Sequence, residues 1–146
     1  MVDPTILQQA EAYIPAEVHL LSGCRDEETS ADVSNVALFG LPDPAGRAGG
    51  ACTSALLKTL YAQQVDTGKG LTYAQVLSRM QDCLEEQKMT QKPQLSSSRP
   101  LGVDEKWELV PEKCKNGTRR AVMIGINYKG MKGELTGCQN DINNVS

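Results

Sequence analysis

Apolar residues recur at helical spacing over two consecutive stretches in the middle of the chain. The first stretch starts at Gly50 and is predicted to end at Gly68 and Gly70. The second follows Thr72, which forms a capping-box pattern with Gln75 three residues later. The apolar positions are Cys52, Leu56, Leu57, Leu60 and Tyr61 in the first stretch, and Tyr73, Val76, Leu77, Met80, Cys83 and Leu84 in the second. The pattern therefore predicts two successive amphipathic helices.

Shorter patterns flank these two helices. Residues 5–14 predict a helix that ends before Pro15, because proline disfavours helical geometry in the residue before it. Residues 17–21 are a short apolar run, which is typical of a buried strand. Residues 25–50 are polar, rich in Gly and Pro and without a sustained period, so they predict a long surface loop. Residues 94–98 predict a short edge strand.

The last third of the chain begins with a charged, aperiodic stretch punctuated by prolines, residues 99–118, which predicts a linker. Residues 121–126 are an uncharged apolar run, as expected of a strand buried on both faces of a parallel sheet. A loop at 130–136 and the start of a helix at 137–145 follow. Short apolar runs cannot bury their faces alone, so we expect the strands at 17–21 and 121–126 to share one core.

Composition narrows the possible functions of this 146-residue chain. Its 15 basic and 18 acidic residues give a formal charge of −3, and aromatic residues make up 4%, which argues against nucleic-acid partners. We find neither a signal peptide nor a run approaching the roughly 20 apolar residues of a membrane span, so we expect a cytoplasmic protein without a membrane partner. Five cysteines without a CxxC pair, beside a single histidine, predict free thiols rather than a zinc site.

Two blocks of sequence resemble the metacaspases, the caspase-like cysteine peptidases of plants, fungi and protists. The first block resembles the family's small catalytic subunit and consists of four segments in the family's order: VHLLSGCRDEETSAD (18–32), GGACTSAL (49–56), LTY (71–73) and TQKPQLSSS (90–98). The second block resembles the beginning of the large catalytic subunit: RAVMIGINY (120–128) and LTGCQND (135–141). The small-subunit block comes first, an order similar to that of the rearranged type III metacaspases of microalgae.

This resemblance implies an α/β fold, a caspase-like (caspase-hemoglobinase) sandwich in which a mostly parallel sheet carries helices on both faces. It divides the chain into a small-subunit-like segment at 1–98, a linker at 99–118 and the incomplete start of the large subunit at 119–146. The remaining large-subunit polypeptide is then the expected partner.

The activity implied by the resemblance is that of a calcium-dependent cysteine endopeptidase that cleaves after Arg or Lys. The family's catalytic Cys and His belong to motifs of the large subunit that are not found in this sequence, so we expect no catalytic residue in this chain. We also expect the calcium site outside it, because the acidic run at 26–32 lacks EF-hand spacing. The alternative is a catalytically inactive caspase-like scaffold or regulatory module.

Three residues are candidates for binding a substrate cation by this resemblance. Asp141 matches the aspartate of the family's specificity pocket, Cys138 would lie in the pocket wall, and Asp26 could line the same subsite. Two simpler interpretations stay open, because Asp141 could be a first-turn acid that favours the helix dipole and Asp26 could belong to a solvated face. His19 and Cys24 do not match the catalytic pair and are predicted to be a sheet-face residue and a packed thiol.

Overall fold

The computed structural model describes residues 3–41, 48–66 and 70–145. Within these residues the secondary structure consists of short strands, four helices and two 3₁₀ turns. The helices are α1 (Pro4–Tyr13), α2 (Ala51–Asp66), α3 (Tyr73–Glu86) and α4 (Cys138–Val145). The strands are β1 (His19–Ser22), β2 (Asp32–Val33), β3 (Gly49–Gly50) and β4 (Gln94–Ser97), and the 3₁₀ turns are Val36–Phe39 and Glu112–Cys114.

The strands form two separate antiparallel pairs. β1 pairs with β4, so that His19 lies opposite Ser97 and Ser22 opposite Gln94. β2 pairs with β3, and Asp32 lies opposite Gly50. The α/β class is therefore as expected, but both pairings in the described part of the chain are antiparallel, and the expected parallel pairing is not seen there.

The capping box predicted for α3 is present and starts the helix as expected. The Thr72 hydroxyl accepts a hydrogen bond from the Gln75 N–H, and the Gln75 side chain accepts one from the Thr72 N–H. The face expected to be apolar is buried at Tyr73, Val76, Met80, Cys83 and Leu84. Local sequence and packing agree in this helix, which forms one wall of the core.

Helix α2 occurs where it was predicted, but its most buried face is a different one. The buried positions are Ala51, Ser54, Ala55 and Thr59, whereas the predicted apolar positions are only half-buried or, at Tyr61, exposed. Small side chains let the α2 backbone lie close to its neighbours, so the contact depends on size as well as on hydrophobicity. The predicted end of the helix at Gly68 lies outside the described residues.

Two predictions in the first half of the chain need correction. Strand β1 has one exposed face, with Leu20 57% exposed, because a two-stranded sheet leaves its outer face uncovered. The stretch at 25–50 is not only a surface loop: it contains β2, β3 and a 3₁₀ turn, and it places Val33, Val36 and Phe39 in the core. Residues 42–47 of that stretch lie outside the described part.

The predicted strand at 121–126 is wrong for this structure. These residues form no regular element, and Val122 and Ile124 are 86% and 78% exposed. They therefore do not share a sheet or a buried core with β1. A strand needs hydrogen-bonded neighbours, and the described residues place none beside this run. The turns at 130–136 and helix α4 follow as predicted.

Residues 99–118 are irregular apart from the 3₁₀ turn at Glu112–Cys114, yet part of the segment contacts α3. The Tyr73 N–H donates to the Glu105 carbonyl at 3.1 Å, and the Ala74 N–H donates to the Val103 carbonyl at 2.9 Å. Because the first N–H groups of a helix have no partner within it, these bonds satisfy the α3 terminus. The division into three segments stays a prediction.

Candidate substrate-binding site

The carboxylate of Asp141 lies where the end of the chain meets the β2–β3 pair. Asp141 is in the first turn of α4, and its two oxygens accept the Gly50 N–H at 3.0 and 2.9 Å. The Thr53 hydroxyl, in the first turn of α2, donates to the same carboxylate at 3.5 Å. The carboxylate is thus held by the strand β3 and the helix that directly follows it.

Three glycines leave the space that this contact requires. A Cβ atom on Gly49 would lie 2.9 Å from Asp141 Oδ1, and one on Gly50 would lie 2.8 Å from Oδ2. A Cβ atom on Gly137 would lie 2.4 Å from the Gly49 Cα. Real Cβ atoms do not approach other atoms so closely, so a side chain at any of these positions would displace α4 or the carboxylate.

Two further hydrogen bonds join the same parts of the chain. The Asn140 side chain donates to the Ala48 carbonyl at 2.8 Å. The Asp32 carboxylate accepts the Thr136 N–H at 2.9 Å and the Thr136 hydroxyl at 3.2 Å. The first turn of α4 and the residues before it are therefore bonded to both strands of the β2–β3 pair and to the residue before β3.

Asp141 also lines a cavity of about 460 Å³. The other polar lining groups are Thr53 and Cys138. The rest of the lining is largely apolar and comes from the irregular segment between residue 120 and α4 and from α4 itself: Met123, Ile124, Ile126, Tyr128, Leu135, Ile142 and Val145. The cavity therefore combines an apolar wall with one carboxylate, which suits a long side chain that ends in a positive charge.

The electrostatic surroundings of Asp141 disfavour its ionised form while no substrate is bound. Burial raises the pKa of the Asp141 carboxyl above its usual value, and the nearby Asp32 carboxylate raises it as well. The hydrogen bonds from Gly50 and Thr53 oppose this rise. No lysine or arginine of the described residues is among the groups that shift this pKa, so a bound cation would supply a missing countercharge.

The two thiols beside this carboxylate are held in their protonated form. Burial raises the pKa of Cys52 to about 11, with smaller contributions from Cys24 and Asp141. Burial also raises the pKa of Cys138, and the carboxylates of Asp32 and Asp141 add to the effect. Since the thiolate is the nucleophilic form of cysteine, neither thiol is suited to attack a peptide bond.

The structure brings two of the three predicted site residues together. Asp141 and Cys138 line the same cavity, whereas Asp26 is exposed in the turn closed by the Glu28 N–H donating to the Arg25 carbonyl and is not part of the cavity lining. A role for Asp26 in substrate binding stays a prediction.

Several residues of this site were missed by sequence reasoning. They are Gly49, Gly50, Thr53, Asp32, Asn140 and Gly137. The glycine pair before α2 was identified in the sequence as a helix boundary and as the start of the segment GGACTSAL, without a role at the site.

His19 and Cys24 lie where the sequence suggested. His19 is on the face of β1, with its ring edge-on to Tyr73 at a centroid distance of 5.5 Å and its Nε2 3.2 Å from Glu17 Oε1. The Cys24 thiol is half-buried and donates to the Glu28 carbonyl at 3.4 Å. Among the described residues, no group of three or more His, Cys, Asp or Glu side chains could hold a metal ion, and no helix is long and apolar enough to cross a membrane.

Comparisons with known proteins identify the family of the chain. The family model of the caspase domain matches residues 5–102. Metacaspase III c of Phaeodactylum tricornutum is 47% identical over 133 residues, which is 90% of this chain and 39% of that protein. Metacaspase-3 of Trypanosoma cruzi is 42% identical over 94 residues, which is 64% of this chain and 24% of that protein.

The chain therefore belongs to the caspase-domain family, a family of caspase-like cysteine proteases. The resemblance to metacaspases expected from the sequence is confirmed, and the type III order is consistent with the Phaeodactylum relative. The chain spans well under half the length of either relative.

Proposed function

We propose that this chain supplies the cation-binding pocket of a cysteine endopeptidase that cleaves after Arg or Lys. The observation that carries the proposal is the Asp141 carboxylate, which lies in the wall of a largely apolar cavity and has no lysine or arginine of the described residues among the groups that shift its pKa. The catalytic Cys and His would be supplied by the remaining large-subunit polypeptide. Peptides or proteins with Arg or Lys before the scissile bond would be the substrates.

The two ends of an Arg or Lys side chain match the two parts of the cavity. The apolar stem can lie against Ile126 and Ile142, and the charged head can reach the carboxylate. A charge-assisted hydrogen bond in a partly buried site contributes more than a neutral one, so the pocket favours a cation over a neutral side chain of similar length. Because burial disfavours the unpaired carboxylate, a cation that pairs with it also removes an unfavourable interaction.

The role of this chain in the reaction is binding and orientation. Holding the side chain before the scissile bond fixes the position of the adjacent carbonyl, and this positioning lowers the entropic part of the barrier. The thiolate, the proton-transferring histidine and the oxyanion donors are expected in the remaining polypeptide.

Calcium dependence and a cytoplasmic location are part of the same proposal and rest on the family resemblance. No group of three or more His, Cys, Asp or Glu side chains in the described residues could hold a metal ion. By the family resemblance, the calcium site would belong to the rest of the large subunit. Assays of the complete enzyme with calcium and with a chelator test this dependence.

Asp141→Asn in the complete enzyme tests the proposed pocket, because it keeps the size of the side chain and removes its charge. The change should remove a charge-assisted contact of about 1.5–3 kcal/mol, which lowers kcat/KM for Arg and Lys substrates by about 10–150-fold. Fluorogenic peptides that end in Arg or Lys give the measurement, with circular dichroism as the check on folding. Unchanged kcat/KM in a folded Asp141→Asn enzyme would contradict the proposal, and Asp141 would then be a helix-terminal acid.

A complete protein that cleaves no Arg or Lys peptide, with or without calcium, would favour an inactive caspase-like module instead. This outcome concerns the wild-type protein, so it is distinct from the effect of Asp141→Asn.

A further inference from the structure

Asp32 on β2 bonds the segment before α4, and β2 pairs with β3, the strand that holds the pocket carboxylate. We propose that Asp32 is a positioning residue of the cation pocket, which holds Thr136 and Gly137 in place so that Asp141 stays bonded to Gly50 and faces the cavity. The inference rests on the proposed function, because it assigns Asp32 a role at the same pocket.

The hydrogen bonds of Asp32 fix the backbone directly before α4. Its Oδ2 atom accepts both the N–H and the hydroxyl of Thr136, at 2.9 and 3.2 Å. The next residue is Gly137, whose carbonyl accepts the Asp141 N–H at 3.0 Å. Asp32 is therefore linked to Asp141 through Thr136, Gly137 and one backbone hydrogen bond of the first helical turn.

Close packing makes this link stiff. A Cβ atom on Gly137 would lie 2.5 Å from Asp32 Oδ1 and 2.4 Å from the Gly49 Cα, so the backbone of Gly137 lies directly against both residues. Close-packed contacts of this kind transmit small displacements instead of absorbing them. A shift of Thr136 away from Asp32 would move the first turn of α4, and with it the pocket carboxylate.

The register of the β2–β3 pair explains why Asp32 can affect the bond between Gly50 and Asp141. Asp32 lies opposite Gly50, the residue whose N–H is bonded to both oxygens of Asp141. Asp32 and Gly50, which both bond the α4 region, are thus neighbours in the same short antiparallel strand pair. The start of α4 is held from both strands at once, and loss of the Asp32 bonds leaves the Gly50 contact without support from β2.

The charge of Asp32 has a second effect that can be measured separately. Among the described residues, the titratable groups that shift the pKa of Asp141 or are shifted by it are Asp32 on β2, Cys52 on α2 and Cys138 on α4. Removing the Asp32 charge should lower the pKa of Asp141, because the remaining carboxylate no longer faces a like charge. Asp32→Asn removes the charge and keeps an oxygen that can accept from Thr136, whereas Asp32→Ala removes both.

The experiment compares these variants in the complete enzyme with an Arg-terminated fluorogenic peptide. Asp32→Ala should raise KM about tenfold with little change in kcat, because the pocket is displaced and the catalytic pair is not. Asp32→Asn should keep KM within about twofold of the wild type, which is the rescue expected of a conservative acceptor. Asp104→Ala, which changes an exposed aspartate of the segment at 99–118, is the matched control and should change neither constant.

A binding measurement reads out the charge effect without turnover. Titration calorimetry follows the same Arg peptide binding to the complete enzyme, inactivated at its nucleophilic cysteine, as the pH is lowered. Binding should weaken as Asp141 is protonated, and in Asp32→Asn this weakening should occur at lower pH than in the wild type. A role of Asp32 in stability alone would lower the melting temperature of the variants but would not raise KM in Asp32→Ala with rescue in Asp32→Asn.

Thr136→Ala keeps the inference testable if Asp32→Ala does not fold. It removes only the hydroxyl hydrogen bond and should raise KM about threefold. A wild-type KM in a folded Asp32→Ala enzyme would overturn the role of Asp32. If Asp32→Ala does not fold, a wild-type KM in Thr136→Ala together with an unshifted pH profile in Asp32→Asn would overturn it. If Asp141→Asn still raises KM in that case, the proposed function stands; if Asp141→Asn also leaves KM unchanged, the proposed function fails as well.

Discussion

The side chain of Gln91 is a buried connection between the segment before β4 and the loop after β1. Gln91 is 3% exposed. Its Oε1 accepts the Ala31 N–H at 2.6 Å, and its Nε2 donates to the Gly23 carbonyl at 2.8 Å and lies 3.4 Å from the Ser30 hydroxyl. One amide therefore satisfies a backbone donor and a backbone acceptor of the loop that leads into β2.

Replacing this amide by an apolar side chain should destabilise the protein measurably. Gln91→Leu has a similar volume, so the main loss is that of the hydrogen bonds to Ala31 and Gly23. Each unsatisfied backbone group costs about 1–3 kcal/mol when it is buried, and both groups here are only half-buried. We therefore expect the free energy of unfolding to fall by about 2–3 kcal/mol, which is near the lower end of the combined cost of the two groups.

Urea unfolding followed by circular dichroism measures this difference for the wild-type chain and the variant. Gln9→Leu is the matched control, because Gln9 is exposed on α1, where surface substitutions change stability by about 0.5 kcal/mol or less. A loss below about 1 kcal/mol in Gln91→Leu would refute the reasoning. It would mean that water replaces the amide at Ala31 and Gly23 in the folded state.

Two further predictions concern the surroundings of the pocket carboxylate. Gly50→Ala places a Cβ atom 2.8 Å from Asp141 Oδ2, so KM of the complete enzyme for Arg peptides should rise about tenfold. The matched control is Gly102→Ala, whose Cβ atom meets only a flexible side chain and which should leave KM unchanged. Unchanged KM in Gly50→Ala would contradict the close contact. Cys52, with a pKa of about 11, should react with iodoacetamide at pH 8 far more slowly than the exposed Cys114. Mass spectrometry of the labelled peptides measures the two rates, and equal rates would contradict the burial of Cys52.

The elements predicted well from sequence are those whose formation depends on local interactions. The capping box at Thr72 and the periodic apolar face of α3 lie within one helix, so the sequence contains all of the information. The buried face of α2 was missed because its contact residues, such as Ala51 and Ala55, are small, and a search for large apolar side chains passes over them. The run at 121–126 has the composition of a buried strand, but β structure depends on neighbouring strands rather than on composition.

In the candidate site, too, local sequence motifs mark some residues, whereas the long-range contacts between residues cannot be predicted from them. Asp141 and Cys138 were predicted as site residues because a family motif marks them, and the motif carries no information about their neighbours. The bond from Gly50 to Asp141 joins residues that are 91 positions apart, and no local pattern predicts a contact at that separation. Glycine is needed at position 50 because Asp141 lies so close to it, and this contact cannot be predicted from the local sequence.

The chain order of the two blocks is compatible with one pocket because the contact between them is small and specific. Residues 48–53 supply the Ala48 carbonyl, the Gly50 N–H and the Thr53 hydroxyl, and residues 136–141 supply the groups that bond to them or to Asp32. These bonds depend on the relative position of β2, β3 and α4 and not on which segment is synthesised first. The entropic cost of closing the intervening loop grows only slowly with its length, by about 0.6 kcal/mol for each doubling. A rearranged chain can therefore keep the proposed cation pocket as long as the glycines that permit the contact and the carboxylates that form it are retained.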